Sequence, residues 1–377
     1  MKKKVLHFIH GLTMGGAETL VKEYCLKLDK EKFDISVLCF YKYHVPYEKQ
    51  LEEAGIRITY IDDIENYPED GAMKYIRKIM LLLKRVFYVR KYIRTEKPDV
   101  IHTHLSNNTY ILFARPEKGT KIFHTVHSEP EAYWDVSTGG NIDFWASKQL
   151  VKKYQMRFIA LHELMREKIN RMFSVNDTLI LNNGIDFARF DRALPKDEVR
   201  KRENIPSDAF VVGHVGRFDE NKNHSFLIGI FAEIYQQNPK AYLLMIGNGE
   251  TLPEIEEKLT KAGLEDHSKI LSYRTDVPDL LNAMDCFVFP SIYEGLGIVL
   301  IEAQKMKLPC FAASSVPKAA EISNLVKWID LDKSAKAWAE EINQFTVEKI
   351  QYHGLEEWDM NYVIKSLEKI YEGCERG

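Results

Sequence analysis

The sequence predicts two consecutive α/β units, each built on a parallel sheet. Three observations carry this. Short apolar runs alternate with longer helical patterns along the whole chain. The alternation restarts past the midpoint, beyond the turn signal Asn182-Asn183-Gly184. And 377 residues are long for one core and comfortable for two.

In the first unit the runs 5–9, 35–40, 56–61, 100–102, 122–126 and 158–161 are expected as buried strands, because apolar side chains follow one another without alternation. Helices are expected near 16–30, 72–97, 106–115 and 162–173. The second unit repeats the scheme, with strands at 210–215, 241–246, 269–272, 286–289 and 310–312. Its helices fall near 222–238, 251–262, 277–284 and 297–307. The break is expected at Asn182 to Asp186 and the polar stretch 191–204 after it, which divides the chain into residues 1–190 and 191–357. Residues 358–374 pattern as an amphipathic helix with Tyr362, Val363, Leu367, Ile370 and Tyr371 apolar. Open α/β sheets bind ligands beyond the C-terminal ends of their strands, so a ligand in a cleft between the domains is expected.

Composition excludes several classes. With 45% hydrophobic and 28% charged residues and a formal net charge of −3, the chain has the profile of a soluble globular protein, and nothing global points to nucleic acid. Charge is uneven, with 29 Lys and Arg against 23 Asp and Glu over residues 1–185 and 23 against 32 over the rest. Such asymmetry suits halves that meet different partners. Five scattered cysteines without a C-x-x-C argue for a reducing compartment and against a disulfide frame or zinc site. The apolar run behind Lys2-Lys3-Lys4 is too short for a signal peptide, and no run reaches the roughly 18–20 residues that span a bilayer. A cytoplasmic protein is expected.

The chemistry concentrates at predicted strand ends. Pro290 to Ala303 reads PSIYEGLGIVLIEA, placing Glu294 in a glycine-containing loop and Glu302 about two turns into a helix. Carboxylates accept hydrogen bonds from hydroxyl pairs, and the free N–H groups of the helix start between them favour an anion. A ligand with sugar hydroxyls at both ends of a diphosphate satisfies all three features. Gly216-Arg217-Phe218-Asp219-Glu220-Asn221-Lys222 follows another strand end. Arg217 offers a planar fork to phosphate oxygens and Lys222 a point charge, a combination suited to a diphosphate leaving group. Gly15 and Gly16 fall after the first strand, where small residues let a phosphate approach backbone N–H groups; the spacing is not that of a dinucleotide fingerprint.

Other features are read more plainly. The histidines of His102-Thr103-His104 and His124-Thr125-Val126-His127 end strands. His-x-His without an acidic or cysteine partner is a poor metal site, and His127 is the one expected to face the ligand. Asp330-Leu331-Asp332 is expected to cap a helix rather than hold a metal. Residues 73–97 carry Lys74, Arg77, Lys78, Lys84, Arg85, Arg90, Lys91, Arg94 and Lys97 with Glu96 as the single acid. Ile76, Ile79, Met80, Leu83, Phe87 and Ile93 are expected as the core stripe of this helix. It is read either as a solvated helix on the sheet or as a contact to an anionic membrane.

Taken in order, Gly15-Gly16-Ala17-Glu18, Gly216-Arg217-Phe218 with Lys222-Asn223, and Glu294-Gly295-Leu296-Gly297 with Glu302-Ala303 resemble family-4 retaining glycosyltransferases of the GT-B fold. Asn183-Gly184-Ile185-Asp186 and Tyr273-Arg274-Thr275-Asp276-Val277 add to the likeness, which spans nearly the whole chain. The resemblance implies two Rossmann-like domains, with the last helix crossing back to the first. It implies a donor diphosphate on Arg217 and Lys222, donor-sugar hydroxyls on Glu294 and ribose on Glu302. Backbone from Gly295 through Leu296, Gly297 and Ile298 to Val299 would line sugar and phosphates, and Arg274 to Val277 would lie beside the base. Gly15 and Gly16 would let the first domain approach the phosphate, and His127 would lie near the transferred sugar, making His127, Glu294, Arg217 and Lys222 the catalytic group. The implied reaction moves a hexose from a nucleotide-diphosphate sugar, a UDP-sugar by expectation, to a saccharide or polyprenyl-linked saccharide, without a required metal. Ser314 to Glu321, which reads SSVPKAAE, departs from the family's Gly-Gly-x-x-Glu loop and resembles the capsule and exopolysaccharide branch. A site at the inner face of the plasma membrane follows from that branch. A nucleotide-sugar epimerase and a non-catalytic nucleotide-sugar-binding protein are the alternatives.

Overall fold

Runs of branched and aromatic residues lack the polar alternation of a half-exposed strand, and they pair here as parallel strands covered on both faces. The computed structural model describes residues 2–13, 15–62 and 74–373; Met14, Met73 and Cys374, and the side chains of Lys74, Tyr75, Ile76, Arg77, Lys78, Ile79 and Thr138, lie outside the described set. Contacts divide the chain into two units, Met1–Gly184 with Met360–Gly377, and Ile185–Asp359.

The first unit holds β1 (Lys3–Phe8), β2 (Phe33–Cys39), β3 (Arg57–Tyr60), β4 (Val100–His104), β5 (Lys121–Thr125), β6 (Arg157–Ala160) and β7 (Leu179–Ile180). They form one sheet in the order β3-β2-β1-β4-β5-β6-β7. The second unit holds β8 (Phe210–Val215), β9 (Ala241–Ile246), β10 (Ser268–Leu271), β11 (Cys286–Phe289), β12 (Cys310–Ala313) and β13 (Val326–Ile329), in the order β10-β9-β8-β11-β12-β13. All pairings are parallel, for example β1 with β4 and β8 with β11. Strand order reverses between β1 and β4 in one sheet and between β8 and β11 in the other. A crevice opens at such a reversal because the connections on its two sides run in opposite directions.

The last helix, Met360–Glu372, belongs to the first unit. Val363, Leu367, Ile370 and Tyr371 join Val5, Leu20, Tyr24 and Phe33 in one core, while Tyr362, expected with them, is exposed. Two further expectations change. Residues 185–190, expected in the first unit, belong to the second, and the polar stretch 191–204 holds a helix, Lys196–Arg202. Its Arg200 is buried and donates to Asp285 at 2.7 Å and to the Ala283 carbonyl at 2.9 Å. Asp330-Leu331-Asp332 does not cap the helix Ala335–Gln344; Ser334 does, accepting from the Ala337 N–H.

The basic helix Lys74–Glu96 turns much of its expected stripe outward, although Ile93 is buried as expected. Met80, Leu83 and Phe87 are each more than 60% exposed, while Arg85, Val89 and Ile93 are buried. Arg85 Nε donates to Asp62 Oδ2 at 2.6 Å, its guanidinium bonds the Tyr41 hydroxyl, and it stacks on Phe40 with 4.5 Å from Cζ to the ring centre. A paired and stacked guanidinium is stable in an interior that would exclude a lone charge. The pair sets the roll of the helix and leaves the apolar stripe outside.

Breaking a buried pair strands the remaining charge, which costs about 3–5 kcal/mol. We therefore expect Arg85→Met to lower stability by that amount in urea titrations, because Asp62 is sealed. Lys84→Ala, which removes the exposed partner 3.4 Å from the same carboxylate, should cost under about 1 kcal/mol. Equal effects of the two would mean that the buried pair does not fix the helix.

Candidate active site

The loops after β8 and β11 come together because those strands are neighbours at the reversal. Lys222 follows β8 in a short turn that Asp219 caps through the Lys222 N–H at 3.2 Å. Glu294 follows β11. Lys222 Nζ donates to Glu294 Oε1 at 2.5 Å, and both side chains are largely sheltered. The ammonium lies 5.0 Å from the centre of the Phe289 ring. Gly216 lets the lysine stem pass, since a Cβ there would sit 3.2 Å from Lys222 Cδ and Cε. The backbone closes the same junction, where the Ile292 N–H donates to the Asn221 carbonyl at 2.7 Å.

Arg217, earlier in the loop that carries Lys222, is exposed and donates to Glu250 at 3.1 Å. Arg217, Asp219, Glu220, Asn221, Glu250, Thr251 and Tyr293 line a pocket of about 350 Å³. Glu250, Thr251 and Tyr293 were not expected from sequence. The loop carrying Glu250 is pressed onto the β8 loop: a Cβ at Gly249 would lie 2.1 Å from the Phe218 carbonyl oxygen, so only glycine fits. The glycines of that loop, Gly247 and Gly249, were its one sequence signal.

The helix after Glu294 begins at Ile298 and runs to Lys305. Gly297 caps it at φ +83° with no side-chain partner, which leaves its first N–H groups available to a ligand. Leu296 and Val299 are buried beneath this turn. Glu302 is the fifth helical residue, one turn in rather than the expected two. Burial pushes its carboxyl up to about 7, against a smaller opposing pull from Arg189. Arg189, which acts on Glu302 through its charge, donates to the Thr275 carbonyl in the loop after β10 at 2.6 Å; it too was missed. In that loop Arg274 is held by Asp276, at 2.6 and 2.8 Å, and by Glu203 at 2.8 Å. Val277 starts the next helix. Tyr273 before them is 71% exposed in a left-handed conformation at φ +56°, a strained position for a tyrosine.

In the first unit Gly15 caps the helix Gly16–Lys27. A Cβ at Gly16 would meet nothing within 4 Å, so no protein atom there requires glycine. The histidines gather by register. His7 on β1 lies beside His102 on β4, and Thr103 beside His124 on β5. His102 is bonded to the Tyr371 hydroxyl at 2.6 Å and Thr125 Oγ1 at 2.7 Å. His124 is bonded to Thr103 Oγ1 at 2.9 Å. His127, half-buried past the end of β5, contacts His104 Nδ1 through Nε2 at 3.0 Å. Desolvation holds it neutral, at about 4. Among the described residues His7, His102 and His104 are the one group with donor atoms close enough for a metal, within 4.8 Å of one another. Most of those nitrogens already bond each other, Tyr371 or Thr125, and sequence spacing gave no sign of His7.

The chain as a whole has known relatives. The "Glycosyltransferase Family 4" profile matches residues 14–189, and "Glycosyl transferases group 1" matches residues 195–357. The chain belongs to the family-4 glycosyltransferases. EpsF of Bacillus subtilis (strain 168), named a glycosyltransferase, is 28% identical over 90% of this chain and 87% of its own. An Escherichia coli UDP-Gal:alpha-D-GlcNAc-diphosphoundecaprenol alpha-1,3-galactosyltransferase is 26% identical over 83% of this chain and 80% of its own. The crystal structure of Anabaena HepE with UDP and glucose aligns with a TM-score of 0.75 at 18% identity, over 98% of this chain and 99% of that one. The fold is GT-B. In this family-4 chain the departing segment after β12 is tied into its own unit. Glu321 accepts from Trp328 Nε1 at 2.6 Å, Lys318 lies 3.6 Å from the centre of the Trp328 ring, and Ser315 bonds the Ser291 carbonyl at 2.8 Å.

The raised carboxyl of Glu302 has a signed consequence for stability. Between its ordinary value near 4.5 and its folded value near 7, the unfolded chain ionises while the folded one stays protonated. Stability contributed by the neutral form is complete below that window and is lost as pH rises through 7. Thermal melts of wild type and Glu302→Gln should therefore diverge from pH 4.5 to 7, the wild type falling, and then run parallel. A constant difference throughout would mean that Glu302 ionises normally.

Proposed function

We propose that this glycosyltransferase moves a hexose from a UDP-sugar to a polyprenyl-linked saccharide in cell-surface polysaccharide synthesis, with retention at the anomeric carbon. The observation that carries the reading is the Lys222–Glu294 pair at the β8/β11 reversal, with Arg217 in the loop of Lys222 and an open helix start after Glu294. A diphosphate bound there competes for Lys222 and leaves Glu294 to accept from sugar hydroxyls, while Glu302 takes the ribose. His127 and the Gly15-Gly16 turn of the first unit are the groups that the family resemblance assigns to the transferred sugar. The bond from the anomeric carbon to the diphosphate oxygen breaks, and the acceptor oxygen bonds that carbon on the same face. The acceptor proton passes to the departing phosphate. Lys222 and Arg217 offset the growing charge, so this route needs no protein nucleophile and no divalent metal. The diphosphoundecaprenol acceptor named for the Escherichia coli relative supports a lipid-linked acceptor here.

Glu294→Ala and Lys222→Ala should each cut turnover by about 10²–10³-fold with circular dichroism unchanged. The assay is UDP release from UDP-hexoses with a polyprenyl-linked acceptor, with anomeric coupling read by NMR. Near wild-type transfer by both variants, or an inverted product, overturns the reading. His127→Ala should give a smaller loss, about tenfold.

The exposed stripe Met80, Leu83 and Phe87, flanked by exposed Lys84, Lys91 and Arg94, fits the surface of an anionic bilayer that carries such an acceptor. Apolar side chains enter the headgroup boundary while the cations meet lipid phosphates. Leu83→Ser with Phe87→Ser should reduce co-sedimentation with phosphatidylglycerol vesicles at least tenfold and leave transfer to a water-soluble acceptor intact. Equal pelleting of variant and wild type would remove the membrane as partner.

A further inference from the structure

His127, His104 and His7 form one line of rings in the first unit. His127 Nε2 lies 3.0 Å from His104 Nδ1, and His104 Nε2 lies 3.1 Å from His7 Nδ1. His7 and His104 are sealed from solvent, and His7 Nε2 ends the line with no hydrogen-bond partner among the described residues. His102, although close to both, stands outside the line, because Tyr371 and Thr125 take its two nitrogens. The surface end is half-buried His127, whose Nε2 is turned inward.

A neutral imidazole has one N–H and one lone pair. Burial keeps all three rings neutral: His7 is lowered to about 3, His127 to about 4, and His104 well below its ordinary value. Each ring-to-ring contact then needs one donor and one acceptor, so the three tautomers are coupled. If the protons point inward, the line ends in a buried N–H on His7 that no acceptor meets. If they point outward, it ends in a bare lone pair. A sealed N–H without an acceptor is the rarer outcome in folded proteins.

We propose that the proton order runs outward, so that His7 and His104 are positioning residues which fix His127 as an Nδ1–H hydrogen-bond donor. His7 Nδ1–H donates to His104 Nε2, and His104 Nδ1–H donates to His127 Nε2. The second donation occupies the inner nitrogen of His127 and leaves its only proton on Nδ1. A free neutral imidazole in water favours the Nε2–H form, so the line works against the intrinsic preference. The charged form cannot be passed inward, because among the described residues the buried end has no counter-ion, and the line is therefore a tautomer lock rather than a proton conduit. That the donor serves an oxygen of the transferred sugar rests on the function proposed above; the lock itself does not.

The test is ring ¹⁵N NMR on the full-length protein labelled at histidine, read at pH 7.5 by long-range ¹H–¹⁵N correlation. The His127 signals are assigned by their loss in His127→Asn. We expect Nδ1 protonated and Nε2 bare in the wild type. His104→Asn, whose side-chain amide keeps a donor near the Nδ1 position, should preserve this pattern. His104→Leu should release His127 to the Nε2–H form and lower kcat about tenfold, with His104→Asn restoring much of the loss. A protonated Nε2 at His127 in the wild type overturns the proposal, as does an unchanged tautomer in His104→Leu. Should His104→Leu fail to fold, the wild-type spectrum alone decides. None of these spectra requires turnover, so failure of the lock and failure of the transferase reading are separable.

Discussion

Lys222 and Glu294 are 72 residues apart in the chain and 2.5 Å apart in space. Everything proposed for the second unit depends on that contact, and the contact depends on β8 lying next to β11. Parallel strands send their following loops to one end of the sheet, and the order reversal keeps the two loops from being covered by a crossover between them. Without ligand the two charges neutralise each other. At an effective dielectric of about 20, unit charges 4 Å apart attract by about 4 kcal/mol, so neither side chain wanders. In the proposed reading, a ligand phosphate would enter a site whose cation is already in place.

The two units carry different physics at the C-terminal ends of their strands. In the second, permanent charges are paired and partly wet. In the first, the strand ends of β4 and β5 carry histidines stripped of water and held neutral. Neutral donors and acceptors suit hydroxyl groups, and permanent cations suit phosphates. The sequence-level imbalance of a basic first half and an acidic second half does not foretell this, because the excess positive charge of the first half sits largely on the helix Lys74–Glu96, and the strand-end residues His102, His104 and His127 count as zero.

Most long strands were legible because their apolar runs leave no other arrangement. β7 and β13 were not: two residues, and a strand containing Lys327 and Trp328, fall below what periodicity can detect. Glu294, Glu302, Arg217 and Lys222 stood out because charged residues beside glycines at strand ends are chemically distinctive. Arg189, Glu250 and His7 did not, since each acquires meaning only through a neighbour that folding brings close. The inverted helix is the sharpest case. Counting apolar residues assigns Met80, Leu83 and Phe87 to the core, and no local pattern reveals that Asp62, Tyr41 and Phe40 wait on the other side for Arg85.

The second unit is inserted into the first: the chain leaves at Gly184 and returns at Met360. The returning helix supplies Leu367, Ile370 and Tyr371 to the first core, and Tyr371 closes the hydrogen bond to His102. During synthesis the first unit therefore waits, its sheet assembled but one side of its core uncovered, while the second emerges whole and is free to fold. The half that begins first is the half that finishes last, and its apolar face is a hazard to the growing chain until the final helix arrives.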